Sequence, residues 1–371
     1  MPPISVMMKP ASGLCNMECK YCFYCDEAKN REQESYGFMT EETLKNVTRK
    51  TMLGAEGAIS YAYQGGEPTL RGLDFFEKVI FYQKKYNKNH VKVQNALQTN
   101  GLNLTEEWCA FFQRNNFLIG VSVDGVQKTH DVFRTDKIGK GTYQRIIENI
   151  KLLERYQVPY NILTVVNREV AENIKEIYSN YKSNGWNYQQ YIVCLEPMGV
   201  KLGTEKYAVT PRMYGEFLIQ LFELWYQDWI LGKQPYIRQF ENYVGILLGY
   251  QAECCDQRGI CGVQNVVEAD GSVYPCDFYM LDEYKLGNFN ECRLDTILEK
   301  RKQMGFIERS LALTKKCQNC FYFKICKGGC QRHRLWSVSE QGYENSFCES
   351  YRMFFDACYE RLKKVSVSKR Y

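Results

Sequence analysis

At 371 residues, 45% apolar and 25% charged, the chain has the length and composition of a soluble globular protein with one large domain or two. Its formal charge of +5 is a mild excess without a long basic run, which argues against a nucleic-acid partner. The N-terminus shows no secretory pattern, and no apolar run approaches the roughly 18 residues that span a bilayer, so no membrane association is expected and the protein is placed in the cytoplasm. There, 17 cysteines argue for metal rather than disulfides, because the cytosol keeps thiols reduced.

The chain opens on a short apolar run, Ile4–Lys9, read as a buried strand. Directly after it comes Cys15-Asn16-Met17-Glu18-Cys19-Lys20-Tyr21-Cys22, a C-x3-C-x2-C triplet. Soft thiolates this close together select zinc, copper(I) or an iron–sulfur cluster over hard cations. A closed zinc site wants four ligands, and Cys25 is the candidate that would complete a zinc knuckle here. Three thiolates on a four-iron cluster instead leave one iron open to a substrate or cofactor.

Further strands are predicted at Ile59–Tyr63, Val93–Thr99, Leu118–Val123, Tyr160–Val166 and Tyr188–Leu195. Helices are predicted between them at Thr40–Leu53, Leu73–Tyr86, Thr105–Asn115, Tyr143–Tyr156 and Val170–Asn184. Thr40 and Thr105, each followed by acidic residues, read as N-caps. The alternation predicts an α/β fold with a parallel sheet of right-handed βαβ units, open or curled into a barrel. Ligands of such sheets collect at the C-terminal ends of the strands. The triplet, Gln64-Gly65-Gly66-Glu67-Pro68, Thr99-Asn100-Gly101, Asp124-Gly125 and Cys194-Leu195-Glu196 all fall on that rim.

Thr210–Leu231 reads as a helix whose aromatic stripe packs into a core. A boundary near residue 235 divides the chain into 1–235 and 236–371. Past it, Val263–Glu268 and Val273–Pro275 flank an Asp270-Gly271 turn and predict a hairpin. Cys255, Cys261, Cys276, Cys317, Cys320, Cys326, Cys330 and Cys348 form a second field of thiols. It matches two four-iron clusters or two structural zincs in ligand count. Cys254 competes with its neighbour Cys255 as a ligand. The remaining cysteines (Cys25, Cys109, Cys194, Cys292 and Cys358) read mostly as small buried hydrophobes.

The triplet, Gly65-Gly66-Glu67-Pro68, Asp270-Gly271-Ser272-Val273-Tyr274-Pro275-Cys276-Asp277 and Cys326-Lys327-Gly328-Gly329-Cys330 together resemble the radical S-adenosylmethionine (SAM) enzymes with a SPASM-type auxiliary domain. Within that group the chain resembles the anaerobic sulfatase-maturating enzymes. The resemblance implies a partial (β/α)6 barrel followed by a smaller Cys-rich auxiliary-cluster domain that ends in a C-terminal helix. It implies three [4Fe-4S] clusters: Cys15, Cys19 and Cys22 for the one that binds SAM, Cys255, Cys261, Cys276 and Cys330 for a first auxiliary cluster, and Cys317, Cys320, Cys326 and Cys348 for a second. SAM contacts are implied for Tyr21, Gly65, Gly66, Glu67, Ser122, Asp124, Arg134 and Leu195.

The activity so implied is oxidation of a Cys or Ser side chain, in a C/S-x-P-x-R type motif of an unfolded sulfatase polypeptide, to 3-oxoalanine (Cα-formylglycine). SAM would leave as 5′-deoxyadenosine and methionine. Asp277 is implied as the base that takes the hydroxyl or thiol proton; read alone, it could equally be an Asx turn after a metal ligand. A flavodoxin or ferredoxin is the implied electron donor. Tyr24 and Gln64 fall where a peptide would be met. The rival expectations are a SPASM peptide maturase that forms a thioether or carbon–carbon crosslink, a non-catalytic zinc module and a nucleic-acid modifier.

Overall fold

A computed structural model describes residues 4–368. Its strands are β1 (Ile4–Met8), β2 (Ala58–Tyr63), β3 (Lys92–Thr99), β4 (Phe117–Ser122), β5 (Tyr160–Val166), β6 (Tyr188–Val193), β7 (Tyr236–Ile237), β8 (Asn265–Val267), β9 (Ser272–Tyr274), β10 (Gly287–Asn288), β11 (Arg334–Ser337) and β12 (Gly342–Asn345). The helices up to residue 247 are α1 (Phe23–Lys29), α2 (Glu41–Leu53), α3 (Leu73–Tyr86), α4 (Glu106–Arg114), α5 (Gln127–Phe133), α6 (Tyr143–Arg155), α7 (Arg168–Glu172), α8 (Ile174–Ser183), α9 (Pro211–Ile230) and α10 (Arg238–Leu247). The expected strands are present with ends shifted by a residue or two, and so are the expected helices except Val170–Asn184.

Two compact units divide the chain. The first comprises Met1–Val123, His130–Asn161 and Val263–Gly305; the second comprises Asp124–Thr129, Ile162–Gly262 and Phe306–Tyr371. In the first, strand order is β10-β9-β8-β1-β2-β3-β4. β1 to β4 pair in parallel, with Ile4 opposite Ile59 and Ala58 opposite Lys92. Helices return the chain between them, and the N-caps behave as the sequence predicts: Thr40 accepts from the Thr43 N–H and Thr105 from the Trp108 N–H. Phe76, Trp108, Phe111, Phe112 and Phe117 form one aromatic core beneath β2 to β4.

The β8–β9 hairpin is antiparallel as expected, but its turn is wider than Asp-Gly alone. The Gly271 N–H reaches the Glu268 carbonyl at 2.9 Å, and Gly271 takes a φ of +91°. β8 also pairs in parallel with β1, Val6 opposite Asn265 and Met8 opposite Val267, which makes the hairpin part of the main sheet.

The second unit contains the parallel run β5-β6-β7 and the separate β11–β12 hairpin. Val170–Asn184 was expected as one helix and is two. Asn173 leaves helical geometry at φ −115° and ψ 20°, and its side-chain amide donates to the Glu169 carbonyl at 2.8 Å, closing α7 before α8 begins. The aromatic stripe of α9 is core, as expected: Phe222 and Trp225 pack on Phe240 of α10, and Phe222 on Phe354 of the terminal helix Cys348–Ser366.

Candidate active site and metal centres

The loop after β1 carries the cysteine triplet, and the loop after β2 is laid directly against it. The Gly66 N–H donates to the Ser12 carbonyl and the Glu67 N–H to the Leu14 carbonyl, both at 2.8 Å. A side chain at Gly66 would place its Cβ 2.1 Å from the Leu14 oxygen, so only glycine permits this approach. Glu67 is fully buried. Its carboxylate accepts from the Thr69 N–H and hydroxyl, from the Thr99 hydroxyl and from the Asn100 N–H, which pins the loop after β2 to the one after β3. Burial still pushes its pKa up. The Glu67 carboxylate thus holds the loops together.

Donors converge on the triplet. The Met17 N–H lies 3.4 Å and the Asn100 amide 3.7 Å from Cys15 Sγ. The Cys25 thiol beside Cys22 pulls the Cys22 pKa down against the opposite pull of burial, with the Arg134 charge adding in the same sense. Cys15, Cys19 and Cys22 all lie within charge range of Cys25. Cys25 is exposed rather than buried, while Cys109, Cys194 and Cys358 are buried as expected. Arg134 Nη1 donates to the Tyr21 hydroxyl at 2.9 Å, bringing two predicted SAM contacts together, and both are buried. Ser122 is buried at the end of β4.

Asp277 follows β9 and faces the ends of β1 and β2. Lys9, only 1% exposed, pairs with its Oδ1, and the Gln64 amide donates to Oδ2 at 3.0 Å. The Lys9 ammonium also stands 5.0 Å from the centre of the Tyr24 ring, so both residues expected to meet a peptide belong to the surroundings of this carboxylate. The Tyr24 hydroxyl donates to Glu268, which is paired with Arg31 at 2.8 Å. Nothing local in the sequence marks Lys9 or Glu268, because their partners are remote in the chain. Cys276 lies beside the buried guanidinium of Arg301, whose Nη2 holds the Gln264 carbonyl and the Asn265 side chain.

In the second unit, Asp124 is fully buried and its Oδ1 accepts from the Val165 N–H at 2.9 Å, while Leu195 is half-buried just beyond β6. Cys317, Cys320, Cys326 and Cys348 line one cavity of about 430 Å³ with Tyr322, Tyr351 and Phe355. Burial raises three of these thiols: Cys317 to about 11, Cys326 to about 12, and Cys348. Cys255 and Cys261 lie within charge range of Cys330, which burial pushes up to about 12. Cys254 instead donates to Gln257 Oε1 and accepts from the Asn242 amide, each at 3.0 Å. Among the described residues no group of three or more His, Cys, Asp or Glu side chains is gathered for a single metal ion, and no helix is long and apolar enough to cross a membrane.

Residues 10–180 match the Radical SAM superfamily and residues 259–321 the SPASM iron–sulfur cluster-binding domain. The cysteine-type anaerobic sulfatase-maturating enzyme of Clostridium novyi (strain NT) is 40% identical over 371 residues, which is 100% of this chain and 99% of that relative. The chain belongs to the anaerobic sulfatase-maturating enzymes. As a member of that family it is a radical SAM enzyme with a SPASM-type iron–sulfur domain. The serine-type sulfatase-maturating enzyme of Bacteroides thetaiotaomicron is 31% identical over 95% of this chain and 89% of its own length. The solved structure of native anSMEcpe with bound AdoMet and Cp18Cys peptide matches with a TM-score of 0.93 at 39% identity, over 98% of this chain and 99% of that one. The α/β fold with a mostly parallel sheet is therefore that of the family. Streptococcus suis SuiB bound to S-adenosylmethionine, at 19% identity and a TM-score of 0.65, covers 93% of this chain and 77% of its own and shares the fold alone.

Proposed function

We propose that this enzyme oxidises the Cβ of a cysteine, in a C-x-P-x-R type motif of an unfolded sulfatase polypeptide, to 3-oxoalanine. The observation that carries this reading is the Asp277 carboxylate, held by Lys9 on one oxygen and Gln64 on the other at the strand ends of the sheet that bears the cysteine triplet. Cysteine is preferred to serine because the cysteine-type relatives are 39–40% identical and the serine-type ones 29–31%. Over the whole change, a Cβ–H hydrogen atom, the thiol proton and one electron leave to give a thioaldehyde, and water replaces its sulfur to give the aldehyde and hydrogen sulfide.

Cys15, Cys19 and Cys22 would hold the cluster that binds SAM, and the N–H groups aimed at Cys15 are what a bound thiolate needs. Cys255, Cys261, Cys276 and Cys330 would hold one auxiliary cluster, Cys255 being chosen because Cys254 is already engaged by Asn242 and Gln257. Cys317, Cys320, Cys326 and Cys348 would hold the other. Thiols spread around a cavity of about 430 Å³ suit a four-iron cluster better than one zinc, whose sulfurs would crowd to about 2.3 Å from the ion. With SAM bound, these groups supply hydrogen-atom abstraction and an acceptor for the second electron. Tyr21, Ser122, Asp124, Arg134 and Leu195, with backbone from Gly65, Gly66 and Glu67, would seat SAM.

The protein's own part is to place the peptide and take a proton. Asp277 accepts the thiol proton on an oxygen that its two donors keep oriented. Tyr24 and Gln64 flank the reacting side chain. A flavodoxin or ferredoxin would supply electrons, in the cytoplasm, and a division of the sequence into 1–235 and 236–371 would assign the SAM-binding cysteines to the first part and the auxiliary-cluster cysteines to the second. Asp277→Asn tests this assignment. It is expected to keep wild-type iron and to release 5′-deoxyadenosine, but to form no aldehyde on a Cys peptide by mass spectrometry; normal turnover would remove Asp277 from the mechanism.

A further inference from the structure

The segment between Cys326 and Cys330 is fastened to a buried guanidinium. Lys327, Gly328 and Gly329 have φ values of +52°, +81° and +65°, a left-handed run that turns the glycine carbonyls toward Arg334. Arg334 is 7% exposed, and each of its nitrogens donates to a backbone carbonyl: Nε to Gly328 at 3.0 Å, Nη2 to Gly329 and Nη1 to Ser310, both at 2.5 Å. The Ser310 hydroxyl in turn accepts from the Cys261 N–H at 3.0 Å. One side chain therefore ties together the backbone at Ser310, Gly328 and Gly329, within the Cys326–Cys330 segment and, through the Ser310 hydroxyl, next to Cys261. These partners are neutral and leave its positive charge in place. The thiols whose charge acts on it are Cys330, Cys261, Cys317 and Cys326. Two of these belong to each proposed auxiliary set.

We propose that Arg334 is a positioning residue shared by both auxiliary clusters, its buried charge raising the reduction potential of each. The inference rests on the ligand sets proposed above. A cluster gains negative charge when it is reduced, and a fixed cation in a low-dielectric interior stabilises that state. One guanidinium facing both ligand sets makes each a readier acceptor for the electron that leaves the substrate.

The test uses full-length, anaerobically reconstituted protein, with iron and sulfide counted and reduction potentials followed by electron paramagnetic resonance. Arg334→Met removes the charge and Arg334→Lys keeps it. With iron retained, Arg334→Met is expected to lower both auxiliary potentials by about 59 mV or more, a tenfold change in a one-electron equilibrium. Arg334→Lys should stay near wild type, and the potential of the triplet's cluster should not move. Unmoved auxiliary potentials in an iron-replete Arg334→Met protein, or a shift in one cluster alone, would overturn the proposal. Should Arg334→Met lose iron, Arg334→Lys decides: retained iron at wild-type potentials supports the role, and lost iron or lowered potentials overturn it. A wild-type protein with a single auxiliary signal would instead overturn the ligand sets, and this inference with them.

Discussion

Gly66 leaves no space for even a methyl group. Its missing Cβ would stand 2.1 Å from the Leu14 carbonyl oxygen, and its N–H and that of Glu67 clamp the cysteine loop at Ser12 and Leu14. Gly66→Ala must push those loops apart, at a cost of about 1–3 kcal/mol as in other overpacked sites. It is expected to lower the thermal midpoint and to weaken SAM binding measured by equilibrium dialysis; wild-type affinity would contradict a role for this clamp. Residues whose meaning is local were legible in the sequence, as the triplet and the Gly-Gly-Glu-Pro turn show. Lys9 was not. It read as the last residue of a strand, because the pattern of a strand says nothing about an ammonium whose carboxylate partner lies 268 positions away. Glu67 was legible as a rim residue, but the inward turn of its carboxylate onto Thr69, Thr99 and Asn100 depends on two other loops.

Elements were legible where they carry their own start and stop signals. Thr40, Thr105 and Thr210 cap the helices that the sequence predicts there, Thr210 with Pro211 in the first turn. The break at Asn173 was hidden because both halves, α7 and α8, keep an apolar stripe, and the interruption is one side-chain amide bond. Packing between elements also places a proposed ligand. The helix Cys348–Ser366 begins at Cys348 and is seated by Phe354, fully buried against Phe222 and Phe240. Phe354→Ala empties that seat and is expected to destabilise the protein by about 3–5 kcal/mol. Urea unfolding of the variant checks this; a change below about 1 kcal/mol would mean that the helix is held elsewhere.

At the scale of the whole chain, the alternation of strand and helix was enough to give an α/β class with a parallel sheet, because each βαβ unit is written in consecutive residues. The pairing of β8 with β1 was not legible. It joins residues some 260 positions apart, and short apolar strands carry no mark of their partner. The cysteine counts suggested clusters, but spacing could not say which thiols share one, and the cavity lined by Cys317, Cys320, Cys326 and Cys348 is a product of the fold. The central claim is that Cys15, Cys19 and Cys22 hold iron with one site open to SAM, and that the resulting oxidation falls on a peptide cysteine. Its most direct test is anaerobic turnover of reconstituted enzyme with SAM, a strong reductant and a C-x-P-x-R peptide, with 5′-deoxyadenosine and peptide aldehyde quantified together. Both products in equal amounts are predicted; iron-replete protein that leaves SAM uncleaved, or cleaves it and leaves the peptide without an aldehyde, would contradict the account.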